Sequence, residues 1–271
     1  MKFYLGTHRP NWLRDVDIHL FVSRRTLGLW KRLPRARCGW ALDSGGFSEL
    51  SMFGKWETTP ARYLAEVRRF RDEVGNLEWA AVQDWMCEPF ILEKTGKTIE
   101  EHQERTIDSY IELSAGVDFQ WAPVLQGWKP QDYWRHWERY EARGIRLESL
   151  PIVGVGSVCR RQGTDTDEAV EIIGSLASAG LSLHAFGFKQ TGLQAGHGYL
   201  ASADSMAWSY QARRNPPLPG CVTHKNCANC LKYALQWRER LLGGLKDKPQ
   251  QSSLLWQLHQ ETFSFCQTPL T

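Results

Sequence analysis

Trp40-Ala41-Leu42-Asp43-Ser44-Gly45-Gly46-Phe47 is a short apolar run that ends on a carboxylate and then on two glycines. An apolar run of this length suits a strand buried on both faces, and the glycines free the backbone for a tight turn or a close approach. The same pattern recurs along the chain. Residues 3–8, 18–23, 40–44, 79–84, 120–126, 152–156, 183–188 and 199–204 read as strands, most of them ending on a polar residue or glycine. Helical signals fall between several of them. Thr59-Pro60 opens a helix running to Val74, with proline in the first turn. Thr98-Ile99-Glu100-Glu101 is a capping box before a helix that stops near Gly116. Lys129-Pro130 opens another, with Tyr133, Trp137 and Tyr140 at helical spacing and Gly144 at its end. Asp165 to Glu168 repeats the capping-box pattern before a helix closing at Gly180.

Strands alternating with helices in this way predict an α/β fold, a (β/α)8 TIM-like barrel. The chain between the first and third strands is too short for full helices, so the barrel is expected to be irregular. After the eighth strand, Asn215-Pro216-Pro217-Leu218-Pro219-Gly220 makes a rigid break. It separates a barrel over residues 1–214 from a C-terminal region over 215–271. There a Cys/His cluster precedes a helix through Leu242, and a last helix is expected over 253–263.

Composition bounds the function. The chain has 271 residues, and α/β barrels commonly use about 250 as one domain. Hydrophobic residues at 42% and charged residues at 23% exclude a disordered chain, a collagen and a coiled coil. Apolar runs fall far short of a membrane span, and the opening Met1-Lys2-Phe3-Tyr4-Leu5-Gly6 lacks the apolar region of a secretory signal. A cytoplasmic protein with no membrane partner is expected. Seven cysteines, three of them within 221–230, fit a reducing compartment and a metal better than a disulfide framework. A net charge of +3 names no partner by itself. The basic residues are unevenly spread, however. Arg24, Arg25, Lys31, Arg32, Arg35 and Arg37 have no acidic residue among them, and Arg pairs stand at 68–69, 160–161 and 213–214. Such a run is either a solvated face or a phosphate-backbone contact.

The carboxyl ends of barrel strands build the active site. Here they bring together His8, Asp43, Asp84, Gln126, the Gly154-Val155-Gly156 turn and Asp204. One Asp after a strand is usually a cap or turn former. Three carboxylates in one mouth raise one another's pKa and can divide acid, base and nucleophile roles. Outside that mouth, Cys221-x2-His224-x2-Cys227-x2-Cys230 has the spacing of a four-coordinate structural Zn²⁺ site. Cys38, Cys87, Cys159 and Cys266 read as plain thiols.

Asp43-Ser44-Gly45-Gly46-Phe47 resembles the DSGG[FY] signature of tRNA-guanine transglycosylases. The resemblance continues in order over nearly the whole chain, although only this motif is specific alone. Asp84 stands where that family has a base-recognising Asp, and Val124-Leu125-Gln126-Gly127 is similar to its VQGG-like stretch. Val153-Gly154-Val155-Gly156 is similar to its glycine-rich base-binding turn, and Asp204 holds the place of its nucleophile. The family's zinc pattern is C-x-C-x2-C with a distant His, which differs from the cluster here. The fourth ligand is therefore His224, the preferred choice, or His259 one helix downstream. The chain is also shorter than the usual bacterial enzyme, and Ser205-Met206-Ala207-Trp208 after Asp204 is unlike the tRNA enzymes. The opening Tyr4-Leu5-Gly6-Thr7-His8 and the run from Cys227 to Arg238 resemble instead the DpdA group. These are paralogues of phages and bacterial gene clusters that exchange guanine for a 7-deazaguanine in DNA.

The resemblance implies a glycosyltransferase (a pentosyltransferase) acting on DNA, with tRNA as the alternative substrate and 7-cyano-7-deazaguanine as the parent incoming base. Asp204 would be the nucleophile and Asp43 the proton-transfer group. Asp84, Gln126 and N–H groups near Gly156 would read the guanine edge. His8, Ser44, Gly45, Gly46, Phe47, Gly154 and Met206 complete the expected substrate set, with Phe47 and Met206 sandwiching the base. The target would be flipped or single-stranded. Structural zinc is the implied cofactor, and a homodimer stays open. The competing reading, from another class, is a zinc-containing nucleic-acid-binding protein without turnover.

Overall fold

A computed structural model describes residues 1–159 and 164–246, the side chains of 164, 165 and 246 aside. The strands are β1 (Lys2–Thr7), β2 (Leu20–Ser23), β3 (Trp40–Asp43), β4 (Leu77–Ala81), β5 (Trp121–Ala122), β6 (Val124–Leu125), β7 (Val153–Val155), β8 (Leu183–Ala185) and β9 (Ser202–Ser205). They pair in parallel in the order β5-β4-β3-β2-β1-β9-β8-β7-β6. The two ends of this sheet, β5 and β6, are halves of the single strand expected over 120–126. Pro123 divides them because it has no N–H for the ladder, although its carbonyl still accepts from Gly154 N at 2.7 Å. The sheet therefore curls into a nearly closed parallel barrel with its seam at Pro123.

Strand alternation sorts the side chains. Tyr4, Phe21, Ala41, Trp79, Ala81, Ala122 and Ile152 form one buried cluster inside the barrel, with Phe186 against it. Their neighbours Phe3, Leu5, Leu20, Val22, Trp40, Leu42 and Ala80 belong to the larger cluster between barrel and helices. A few large rings inside, offset by three alanines, are how a narrow barrel fills its interior.

Eleven α-helices lie among the described residues. Two of them, α1 (Trp12–Asp15) and α2 (Arg24–Leu27), are single turns, as the short connections require. They are followed by α3 (Gly46–Phe53), α4 (Pro60–Val74), α5 (Pro89–Thr95), α6 (Ile99–Gly116), α7 (Pro130–Ala142), α8 (Thr164–Ser178), α9 (Gln190–Gly196), α10 (Ala207–Arg214) and α11 (Leu231–Lys246). Thr59 caps α4 by accepting from Arg62 N, and Thr98 and Glu101 form the expected reciprocal box on α6. Helix α7 buries Tyr133, Trp137 and Tyr140 on the face their spacing predicts. The chain after α10 packs on the same core: Cys227, Ala228, Tyr233, Ala234 and Trp237 join the outer cluster, and Trp237 lies 6.3 Å from the Phe3 ring. No helix among the described residues is long and apolar enough to cross a membrane. The helix expected over 253–263, His259, Cys266 and the Arg pair at 160–161 lie outside the described residues.

Candidate active site

A cavity of about 970 Å³ opens at the carboxyl ends of the strands. His8, Asp43, Ser44, Gly45, Gly46, Phe47, Asp84, Gly156, Asp204 and Met206 all line it. Gln126 and Gly154 do not; both are buried behind the wall.

Asp43 ends β3. Gly45 has φ 81°, and this left-handed turn swings its N–H back onto Asp43 Oδ1 at 3.1 Å. A side chain at Gly46 would put Cβ 3.2 Å from Asp84 Oδ1 and 3.1 Å from the Trp56 ring. The second glycine thus lets backbone approach carboxylate. Burial pushes the Asp43 carboxyl above its ordinary range, opposed by hydrogen bonds from Gly45 and Ser23 and reinforced by the charge of Asp204.

Asp84 is buried and doubly held. Its Oδ1 accepts from Ser44 Oγ at 3.2 Å and its Oδ2 from Gln126 Nε2 at 2.5 Å. Burial raises its pKa to about 7; the Gln126 and Ser44 hydrogen bonds oppose that rise, and the charge of Asp43 adds to it. Gln126 is itself oriented, because its Oε1 lies 2.7 Å from Ser157 Oγ, which also lies 2.9 Å from Glu88 Oε2. Cys87 N donates to the same hydroxyl oxygen at 2.9 Å. Ser157 reaches this position with φ 54°, a left-handed conformation rare outside glycine. A Cβ on Gly156 would fall 2.1 Å from the Gln126 amide, and the Gly156 N–H is committed to Leu125 O at 3.0 Å. Gly154 is bare for another reason, since a Cβ there would meet the Phe186 ring at 2.3 Å.

Asp204 lies on β9 opposite Tyr4 of β1. Gly187 N donates to its Oδ1 at 2.7 Å, and His184 Nε2 lies 3.4 Å from the same oxygen. His184, Ser157 and Glu88 were not among the expected site residues. The available signal for His184 was a polar residue at an inward strand position; for Ser157 it was adjacency to the glycine turn. At the rim, His8 stacks on Trp208 at 6.2 Å and contacts Asn229 of the Cys/His segment. Phe47 meets Phe90 edge-on at 6.3 Å, and Met206 is 40% exposed.

Only the start of the basic run is consumed inside the fold. Arg24 is buried between Glu49 and Glu66, at 2.8 Å from each, and Arg25 pairs with Glu49 at 3.1 Å. Arg37 pairs with Asp17 at 2.9 Å, while Lys31 and Arg32 stay exposed. Arg214 stacks over Tyr210 at 4.1 Å.

Beyond the cavity, one ligand atom from each of Cys221, His224, Cys227 and Cys230 lies within 4.8 Å of the others, so this group could hold a metal ion. The Cys221 and Cys230 sulfurs are 3.9 Å apart, and a tetrahedral site with metal–sulfur bonds of about 2.3 Å has edges of about 3.8 Å. Leu218 N also donates to Cys227 Sγ at 3.3 Å, a contact that suits a thiolate. The donor set therefore fits a four-coordinate ion.

Among solved structures, a candidate fructose-1,6-biphosphate aldolase from Coccidioides immitis is similar over 90% of each chain, at 8% identity and a TM-score of 0.48. A search of curated proteins finds no match. The family model DpdA, described as DeoxyPurine in DNA protein A, matches residues 1–260. With the match running through the barrel, the carboxylate cavity and the Cys/His group, the chain belongs to the DeoxyPurine in DNA protein A family.

Proposed function

We propose that this chain is a base-exchange transglycosylase that replaces guanine in DNA by a 7-deazaguanine, with 7-cyano-7-deazaguanine as the incoming base. The observation that carries the reading is one cavity holding three carboxylates in three different settings: Asp204 gripped by a backbone N–H, Asp43 pushed up by burial, and Asp84 braced by an amide and a hydroxyl. Environments that separate carboxylates in this way assign them separate tasks.

Asp204 attacks C1′ of the target deoxyguanosine. A C1′–O bond forms, the C1′–N9 bond breaks, and its electron pair leaves with guanine, which takes a proton from Asp43. The incoming base returns a proton to Asp43, attacks C1′ through its own nitrogen and displaces Asp204. One glycosidic bond is exchanged for another and protons balance, so no nucleotide cofactor is required. Retention at C1′ follows from two displacements.

Asp84 reads the base. Guanine and its 7-deaza analogues present N1–H and an exocyclic amine, which a carboxylate accepts. Each Asp84 oxygen has one identified side-chain donor, and a second acceptor direction serves the base. In this reading Gln126 acts through Asp84, with Ser157 and Glu88 behind it. The target must leave its stack to reach the cavity floor, so single-stranded or flipped guanine is the substrate form. Zn²⁺ is the ion assigned to Cys221, His224, Cys227 and Cys230, where it would fix the segment before α11 against the barrel.

The reading is tested by mass spectrometry of nucleosides from DNA and tRNA of cells expressing the chain and supplied with 7-cyano-7-deazaguanine. The 7-deaza nucleoside is expected in DNA. Its appearance in tRNA alone would move the substrate to tRNA, and its absence from both would refute the exchange.

A further inference from the structure

The interior of the barrel is lined by Tyr4, Phe21, Trp79 and Phe186, and in the middle of these rings stands one imidazole, His184. It is fully buried. Burying an imidazole without hydrogen bonds is costly, so its two nitrogens must be accounted for. His184 on β8 pairs with Ser202 on β9, and its Nδ1 lies 2.9 Å from the Ser202 hydroxyl. When that hydroxyl donates to Nδ1, the ring proton sits on Nε2. Asp204 is two residues beyond Ser202 and therefore on the same face of β9. Nε2 lies 3.4 Å from its Oδ1, within ion-pair distance, and makes no hydrogen bond among the described residues.

We infer that His184 is a positioning residue for Asp204, its unpartnered Nε2 poised to donate to Oδ1 beside the Gly187 N–H so that Oδ2 is the oxygen presented to the sugar. The Gly187 N–H bonds Oδ1 and Nε2 lies nearest the same oxygen, while no hydrogen bond among the described residues reaches the other. The inference rests on the reading of Asp204 as nucleophile. In the first displacement Oδ2 bonds to C1′, the C1′–N9 electron pair leaves with the base, and Oδ1 becomes the ester carbonyl. In the second, the C1′–Oδ2 bond breaks, its electron pair returns to Asp204, and the incoming nitrogen takes C1′. The Nε2–H then meets a carboxylate again, which favours release. Register alone builds the device: a His opposite a Ser, and the Asp two residues on.

The experiment uses the full chain, guanine-containing single-stranded DNA and 7-cyano-7-deazaguanine, with adduct trapping under denaturing conditions and steady-state exchange. His184→Met keeps volume and removes the donor. It is expected to lower kcat about ten- to a hundredfold, the range for one hydrogen bond to a charged group, with KM for either substrate unchanged. His184→Gln places an amide N–H near the Nε2 position and is expected to recover most of that loss. Ser202→Ala, a milder change that leaves the ring, is expected to lower kcat in the same direction by a smaller factor. Wild-type kcat in His184→Met and Ser202→Ala overturns the inference. So does equal impairment of the Met and Gln variants with raised KM and lowered melting temperature, which is the signature of packing alone. An adduct formed by the wild type and lost in Asp204→Asn shows that the underlying reading stands whichever way the His184 variants fall. No wild-type adduct would remove that reading and the inference with it.

Discussion

Gln126 donates its side-chain N–H to Asp84 at 2.5 Å, across two strand ends that are 42 residues apart in sequence. The contact makes the amide a brace for a carboxylate whose pKa burial raises to about 7. Removing the donor withdraws an interaction that favours the charged form, so the midpoint moves further up. Gln126→Leu should therefore raise KM for the incoming base by about tenfold at pH 7 and less at pH 9. Steady-state KM against pH checks this; a variant with the wild-type profile would contradict it.

The same carboxylate sets a stability term. Its folded pKa lies above the unfolded value of 3.8, so its contribution is fully present below pH 3.8 and is lost as pH rises through about 7. Asp84→Asn removes the buried charge. It should be about as stable as wild type at pH 4 and more stable than it at pH 8, by about 4 kcal/mol at most. Exchange should fall to background at both. Melting curves at the two pH values decide; a variant destabilised equally at both would contradict this account.

Gly156→Ala should damage the site more than the fold. The new Cβ falls 2.1 Å from the Gln126 amide and must push the brace off Asp84. Overpacking of this kind costs about 1–3 kcal/mol, and exchange activity should drop by more than the melting shift implies. Measuring the two together separates loss of the brace from loss of folded protein.

Metal removal should loosen residues 215–246. Chelation is expected to lower the melting temperature and increase hydrogen exchange in α11, because ligation energy is folding energy. Through Asn229 and His8 the loosening should reach the cavity rim. Elemental analysis should find one zinc per chain; freshly purified active protein without metal would contradict the assignment.

Much of the barrel was legible because buried parallel strands and capped helices leave strong local patterns. The carboxylates, glycines and Cys/His spacing were legible for the same reason: each sits at a punctuated strand end or a regular interval. Helix α3 was not, since it begins at Gly46, where helix propensity is poor. The basic run showed its charge but not the burial of Arg24 between Glu49 and Glu66, which depends on residues 25 and 42 positions away. Gln126 looked like a residue facing the base and lies instead behind Asp84, a relation set by barrel curvature. His184 was hidden because its meaning lies in the register of β8 against β9.

The central claim is the division of labour between Asp204 and Asp43. Trapping the protein on guanine-containing DNA under denaturing conditions tests it directly. Asp204→Asn keeps the shape and removes the attacking charge, so no covalent adduct should form. Asp43→Asn should slow exchange yet leave adduct detectable where the guanine departs unaided. An adduct that persists in Asp204→Asn and vanishes in Asp43→Asn would contradict the account and reverse the two roles.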